Sequence, residues 1–165
     1  MAPRPSEAVM ADYYAHSENY AYWAKHIFPA SESVRRDKIH KPWLEQIITI
    51  CNQHNGGPIT RLIEVGPGFG TFAALAAQSS FFQEVVAIEP TPELATACRD
   101  RGVSVVEKRI EDILDEVPPA DVLVAFEVIE HLFRPRNFIE QAKRLIKHDG
   151  LLILTCPNGT GFDIA

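Results

Sequence analysis

Cysteine is scarce in this 165-residue sequence: Cys51, Cys98 and Cys156 are its three. Their odd number and wide spacing exclude a disulfide framework and a Cys-x-x-Cys metal site. They read as buried, reduced thiols of a cytoplasmic protein. Positive charge is in deficit too, with 16 Lys and Arg against 22 Asp and Glu and a formal net charge of −6. That sign is wrong for gripping long nucleic acid by phosphate neutralisation, which only a local basic patch could then serve. No apolar run approaches the ~18 residues of a membrane span. Met1 to Ala15, MAPRPSEAVMADYYA, lacks the charged start and apolar stretch of a targeting signal. Repeats, low-complexity tracts and charge blocks are absent as well. What is there, 46% apolar and 23% charged residues, suffices to bury a core at a length typical of one domain.

The chain divides near residue 57. The first part, 1–57, reads as helical: Ala8 to Phe28 is expected to be a helix stopped by Pro29. Pro42 to His54 opens with a proline suited to a first turn and closes at Gly56-Gly57. From 58 to 165 short apolar runs alternate with helix-like segments. The expected strands are Leu62 to Val65, Val85 to Glu89, Val103 to Val106, Asp121 to Phe126 and Leu151 to Thr155. Between them lie Thr71 to Ser79, Pro92 to Arg101, a short Glu111 to Asp115 piece and Asn137 to Lys147. The last is stopped by Asp149-Gly150. Strands apolar on both faces, joined by crossing helices, predict a parallel α/β sheet covered on each side.

The first strand runs straight into Glu64-Val65-Gly66-Pro67-Gly68-Phe69-Gly70 and the small-residue start TFAALAA. At the carboxyl edge of such a sheet, glycines let the backbone approach a ligand and aim N–H groups at it. A dinucleotide fingerprint needs Gly-x-Gly-x-x-Gly, but the third glycine comes one residue early, so NAD is disfavoured. No Lys-Ser/Thr pair follows, which removes a nucleoside-triphosphate loop. Glu89 closes the second strand 23 residues after Gly66, where a carboxylate can accept from both hydroxyls of a ribose. The ligand reads as a nucleoside. A plain tight turn, with Glu89 capping the next helix, is the structural alternative.

In order and spacing, LIEVGPGFGTF, VVAIEP, ADVLVAFEVIEHL and RLIKHDGLLILTCPN resemble the successive motifs of class I S-adenosylmethionine-dependent methyltransferases, over residues 60–158. The chain is most similar to the branch with Glu-Val-x-Glu-His after the fourth strand, which includes ubiquinone-type O-methyltransferases and small-RNA 2′-O-methyltransferases. The resemblance implies a Rossmann-like α/β methyltransferase sandwich with parallel sheet order 3-2-1-4-5 behind N-terminal helices. It implies S-adenosylmethionine as cofactor: Glu64, Gly66, Pro67, Gly68 and Gly70 at its methionine part, Glu89 with Pro90 at its ribose, and Ile110 and Glu111 beside adenine. Phe126 and Glu127, ending the fourth strand, complete that set. Such folds continue with a helix and an antiparallel hairpin, which this chain, ending ten residues after Thr155, is expected to lack. The bare edge of the fifth strand is then expected to be covered by a second copy, by the tail Gly159 to Ala165, or by further sequence.

Glu127, Glu130 and His131 follow the fourth strand at i, i+3 and i+4, a spacing that would place them together on a helical face. Three readings stay open. His131 takes a proton from an acceptor hydroxyl while the carboxylates Glu127 and Glu130 orient it, His131 and Glu130 being the catalytic pair; the three hold a divalent metal, which is not the preferred reading; or they are structural. Tyr13, Tyr14, Tyr20, Tyr22, Trp23 and Phe28 form either a packing helix or a lid over the site, and Arg35, Arg36 and Lys38 either a solvated face or an anion site. The function expected is methylation, on oxygen, of a small-molecule acceptor by a cytoplasmic enzyme. The alternatives are a cofactor-binding module without turnover and a metal-assisted RNA 2′-O-methyltransferase.

Overall fold

The computed structural model describes residues 5, 6, 8, 9, 13, 22, 26–54 and 57–158. Five strands, β1 (Arg61–Val65), β2 (Glu84–Ile88), β3 (Ser104–Val106), β4 (Ala120–Phe126) and β5 (Ile146–Thr155), form one parallel sheet of order β3-β2-β1-β4-β5. The helices are α1 (Phe28–Arg35), α2 (Lys41–Gln53), α3 (Thr71–Gln78), α4 (Pro92–Asp100) and α5 (Pro135–Arg144). A π turn, Arg36–His40, joins α1 to α2, and single 3₁₀ turns lie at Ile110–Asp112 and Ile129–His131.

Period-two alternation sorts the strand side chains into two cores. Leu62, Val85, Ala87, Val122 and Val124 pack with Leu44, Ile47 and Cys51 of α2, Phe72, Ala73 and Ala76 of α3, and Cys98 of α4. Their neighbours Ile63, Val65, Val86, Ile88, Leu123 and Ala125 pack on the other face with Ile110, Ile113, Phe138, Ala142 and Leu145. The strands β1, β2 and β4 are buried on both faces, as their unbroken apolar runs require, while the edge strands β3 and β5 are only partly covered. The N-terminal helix α2 therefore shares the core of the sheet.

Away from the site, the structure departs from the sequence reading at several places. Pro29 does not stop a helix: it lies in the first turn of α1, a position that proline's fixed φ suits. Two thirds of the expected helix Ala8 to Phe28 lies outside the described residues. The last helix ends at Arg144 rather than Lys147, and β5 begins five residues before Leu151. Lys147 is drawn into an ion pair with Asp121 at 2.6 Å. A register shift follows between Ala120↔Ile146 and Val122↔Leu151, where a Cβ on Gly150 would stand 2.4 Å from Ile146 and 2.8 Å from the Asp121 carbonyl. Lastly, Cys51 and Cys98 are buried free thiols, but Cys156 is exposed. Among the described residues no helix is long and apolar enough to cross a membrane.

Candidate functional site

The carboxyl ends of β1, β2 and β4 meet at the glycine turn. Gly66, Gly68 and Gly70 all take left-handed φ, +69°, +57° and +73°, a region that costs other L-residues about 1–2 kcal/mol. The turn is pinned by the Gly66 N–H donating to the Ile88 carbonyl (3.0 Å) and the Gly70 N–H to that of Pro67 (3.0 Å). Two of the glycines are also sterically obliged. A Cβ on Gly66 would stand 2.7 Å from the Val128 side chain, and one on Gly70 2.8 Å from the Cys98 sulfur. Gly68 has nothing within 4 Å of its Cβ position, so it faces open space. Its carbonyl accepts from the Cys98 thiol at 3.3 Å.

Glu89 stands beside this turn. It is 5% exposed, and its Oε1 accepts the Thr91 N–H at 2.9 Å. Burial raises its pKa, while the N–H groups of Thr91 and Gly68 pull it back. The turn and the acid are therefore brought together, as the spacing suggested. Pro90 is exposed and opens the loop into α4. Glu64 is 3% exposed and points to the α3 side, and its Oε2 has no hydrogen-bond partner. Burial pushes its carboxyl up to about 8, the Ala73 N–H opposes this, and the Glu89 charge adds to it. The buried Thr71 hydroxyl is unpartnered as well. A cradle of left-handed glycines, an open Gly68 and two buried carboxyls, one with a free acceptor oxygen, suits a ligand that carries both donors and positive charge.

The expected helical face of Glu127, Glu130 and His131 does not form. Glu127 sits at φ +54°, clamped to the end of β5. Its N–H donates to the Thr155 carbonyl (3.2 Å), and the Thr155 hydroxyl donates to its Oε1 (2.8 Å). After it comes a 3₁₀ turn, which gives up the α-helical register. His131 Nε2 lies 3.8 Å from Glu130 Oε1, beyond hydrogen-bond reach, and its side chain is 61% exposed. Among the described residues no group of three His, Cys, Asp or Glu could hold a metal ion. Ile110 is buried in the lower core, so of the expected adenine neighbours Glu111 is the more open to solvent.

Trp43, Phe72 and His40 at this edge carried no sequence signal, whereas Phe28 and Phe126 are expected there from the sequence. Trp43 of α2 stacks on Phe126 (4.6 Å between ring centroids, 29°), and Phe72 meets the same ring edge-on at 4.7 Å. His40 packs edge-on against Trp43, with its Nδ1 buried and unpartnered; burial and then the Arg35 guanidinium hold its imidazole below the usual histidine range. Phe28 stacks on Phe69 of the glycine turn at 3.9 Å, and Glu32 pairs with Arg101 at the end of α4. Helix α1 is thus laid against the site. Tyr14, Tyr20 and Trp23 lie outside the described residues. Of the basic trio, Arg36 pairs with Asp37, which also takes Lys41.

A model of the methyltransferase domain matches residues 13–163. The chain belongs to the methyltransferase domain family. Over 108 residues it is 34% identical to a ubiquinone biosynthesis O-methyltransferase of Xylella fastidiosa, covering 61% of this chain and 43% of that one. The mitochondrial ubiquinone biosynthesis O-methyltransferase of Bos taurus is 29% identical over 129 residues, 71% of this chain and 34% of that one. The chain thus spans less than half the length of these relatives. Among solved structures it resembles the plantazolicin methyltransferase BpumL in complex with a desmethylPZN analog and SAH. The TM-score is 0.67 at 12% identity, over 85% of this chain and 57% of that one. Family and fold agree on a Rossmann-like methyltransferase domain.

Proposed function

We propose that this chain binds S-adenosylmethionine across the ends of β1, β2 and β4 and methylates a hydroxyl oxygen of a small acceptor in the cytoplasm. The observation that carries the reading is the open, left-handed Gly68, whose flanks are held by Glu89 on one side and Cys98 on the other. Glu64 and the glycine turn with Pro67 would hold the methionine part, Glu89 beside Pro90 the ribose hydroxyls, and the Ile110-Glu111 turn the base. Phe126 and Glu127 would wall the donor end. The cofactor supplies an already activated methyl group on a sulfonium. The residues of this chain have chiefly to position the acceptor and exclude water, and alignment of two reactants is worth on the order of ~7 kcal/mol or more. Trp43, Phe126 and Phe28 provide an apolar wall for that purpose. His131, beside Glu130, is the proton acceptor for the hydroxyl; its exposure leaves it reachable. Oxygen as the methylated atom is supported by the ubiquinone O-methyltransferase relatives.

Because the chain covers less than half of those relatives, the second reading is a binding module without turnover. The outer edge of β5 ends the sheet, and we take it to be covered by further sequence, by a second copy of the chain or by the tail Gly159 to Ala165, which lies outside the described residues. Calorimetry with S-adenosylhomocysteine tests the binding: saturable heat is expected, weakened at least tenfold by Glu89→Ala, and no binding refutes both readings. Transfer of labelled methyl to 3,4-dihydroxybenzoate or another small hydroxyl compound selects the enzyme. Binding with no transfer to any member of a hydroxyl-compound panel selects the module.

A further inference from the structure

Glu64 is an unusual carboxyl for its place in the fold. It lies 3% exposed at the end of a central strand, with one oxygen unpartnered. The groups that act on it are the Ala73 N–H from α3, the Glu89 carboxyl just beyond the end of β2, and the Cys98 thiol from α4. Its register partners on β2 and β4, Ala87 and Val124, are apolar. No cationic side chain among the described residues acts on it. An ionised carboxylate there would be a buried charge with one hydrogen bond, facing a second acid, an arrangement that proteins avoid by keeping the proton.

We propose that Glu64 sets the charge selectivity of the cofactor site: it stands as a neutral acid in the free protein and yields its proton to solvent when the cofactor's ammonium group arrives, so that cofactor binding releases a proton. The inference rests on the S-adenosylmethionine reading above and deepens it. The balance is simple: the Glu64 O–H bond breaks, its proton goes to buffer, and the electron pair stays on the oxygen that accepts from the ligand N–H. Nothing is oxidised or reduced. Burial, which favours the neutral acid in the free protein, strengthens the pair once the cation is present. The site then discriminates against uncharged ligands, because these leave the proton in place and gain no ion pair.

The test is titration calorimetry of the 165-residue protein with S-adenosylhomocysteine in phosphate and in Tris, whose ionisation heats differ. With the Glu64 carboxyl at about 8 in the free protein, about 0.9 proton should be released per ligand at pH 7, and affinity should rise ~50-fold from pH 6 to pH 8. Glu64→Gln should bind more weakly, release no proton and lose that pH dependence. It should hold 5′-methylthioadenosine, which lacks the amino-acid part, as the wild type does. If Glu64→Gln fails to fold, the carbon-13 carboxyl resonance of wild-type Glu64 gives the answer: it should titrate near pH 8 alone and be ionised at pH 6.5 in the complex. S-adenosylhomocysteine binding with no proton exchanged at pH 7, or a Glu64 resonance already ionised at that pH in the free protein, overturns the inference and leaves the cofactor reading standing. Absence of binding at every pH from 6 to 9 defeats that reading itself.

Discussion

Three glycines in one turn share a backbone conformation but not a surrounding, and this separates folding from binding. An alanine at any of the three pays about 1–2 kcal/mol for left-handed φ. At Gly70 the new Cβ would also meet the Cys98 sulfur at 2.8 Å and its Cα at 3.1 Å. The Cα belongs to a packed helix and cannot swing aside, so overpacking adds about 1–3 kcal/mol. Gly70→Ala should therefore lose about 2–5 kcal/mol, or about 4–20 °C in Tm for a chain of this length. Gly68→Ala meets nothing within 4 Å and should lose only the conformational part, about 2–8 °C. Yet its methyl occupies the space that the cofactor reading gives to the ligand. Thermal unfolding with and without S-adenosylhomocysteine reads both effects. At a hundredfold excess over Kd the wild type should gain about 2.7 kcal/mol, roughly 5–11 °C, and Gly68→Ala should gain almost nothing. A Gly68→Ala protein that gains the full ligand shift would show that the open side of the turn is not the cofactor face.

The other expectations are simpler to read. Asp121, at the amino edge, accepts the N–H groups of Thr60 and Arg61 (both 2.8 Å), the Thr60 hydroxyl (3.0 Å) and Lys147; Asp121→Ala should cost about 2–4 kcal/mol in Tm measurements without changing ligand affinity. Burial alone would raise the Asp121 carboxyl, but Lys147 and those donors outweigh it and hold it at about 2. Its stabilisation is thus present above the ordinary carboxylate pKa and lost as pH falls toward 2, which acid unfolding of wild type against Asp121→Asn checks. Glu64 works in the opposite sense: its folded pKa lies above its unfolded one, so its contribution is whole below pH ~4.5 and lost as pH rises through about 8. Tm of the free protein should decline across that window and flatten in Glu64→Gln. Phe28→Ala removes the stack on Phe69 and should speed ligand dissociation about 2–10-fold in stopped flow. His131→Ala should leave S-adenosylhomocysteine affinity within twofold, because the ring is largely exposed, and lower methyl transfer by about 100-fold or more; unchanged transfer removes the base role.

Which parts of this architecture were legible beforehand follows from the range of the forces involved. The central strands β1, β2 and β4 were readable because each is a short apolar run bounded by turn residues, which suits burial on both faces. The glycine turn and Glu89 were readable because their meaning depends on spacing alone. Where one long-range partner decides the local structure, the sequence was silent. The run NFIEQAKRLIK has helical periodicity throughout, yet the structure ends the helix at Arg144, because Lys147 pairs with Asp121 and Ile146 joins β4 beside Ala120. Glu127 belongs to a tidy i, i+3, i+4 pattern, but Thr155, 28 residues away, holds it at positive φ and breaks the register. The same holds for the contacts that shape the ligand side, Trp43 on Phe126, Phe28 on Phe69 and the Cys98 thiol on the Gly68 carbonyl. Each joins a residue of ordinary type to the site across at least 30 positions. A motif can therefore point to a cofactor site, since a turn of backbone is local in sequence. The aromatic contacts beside it, made by side chains that only the finished fold brings together, have to be read from structure.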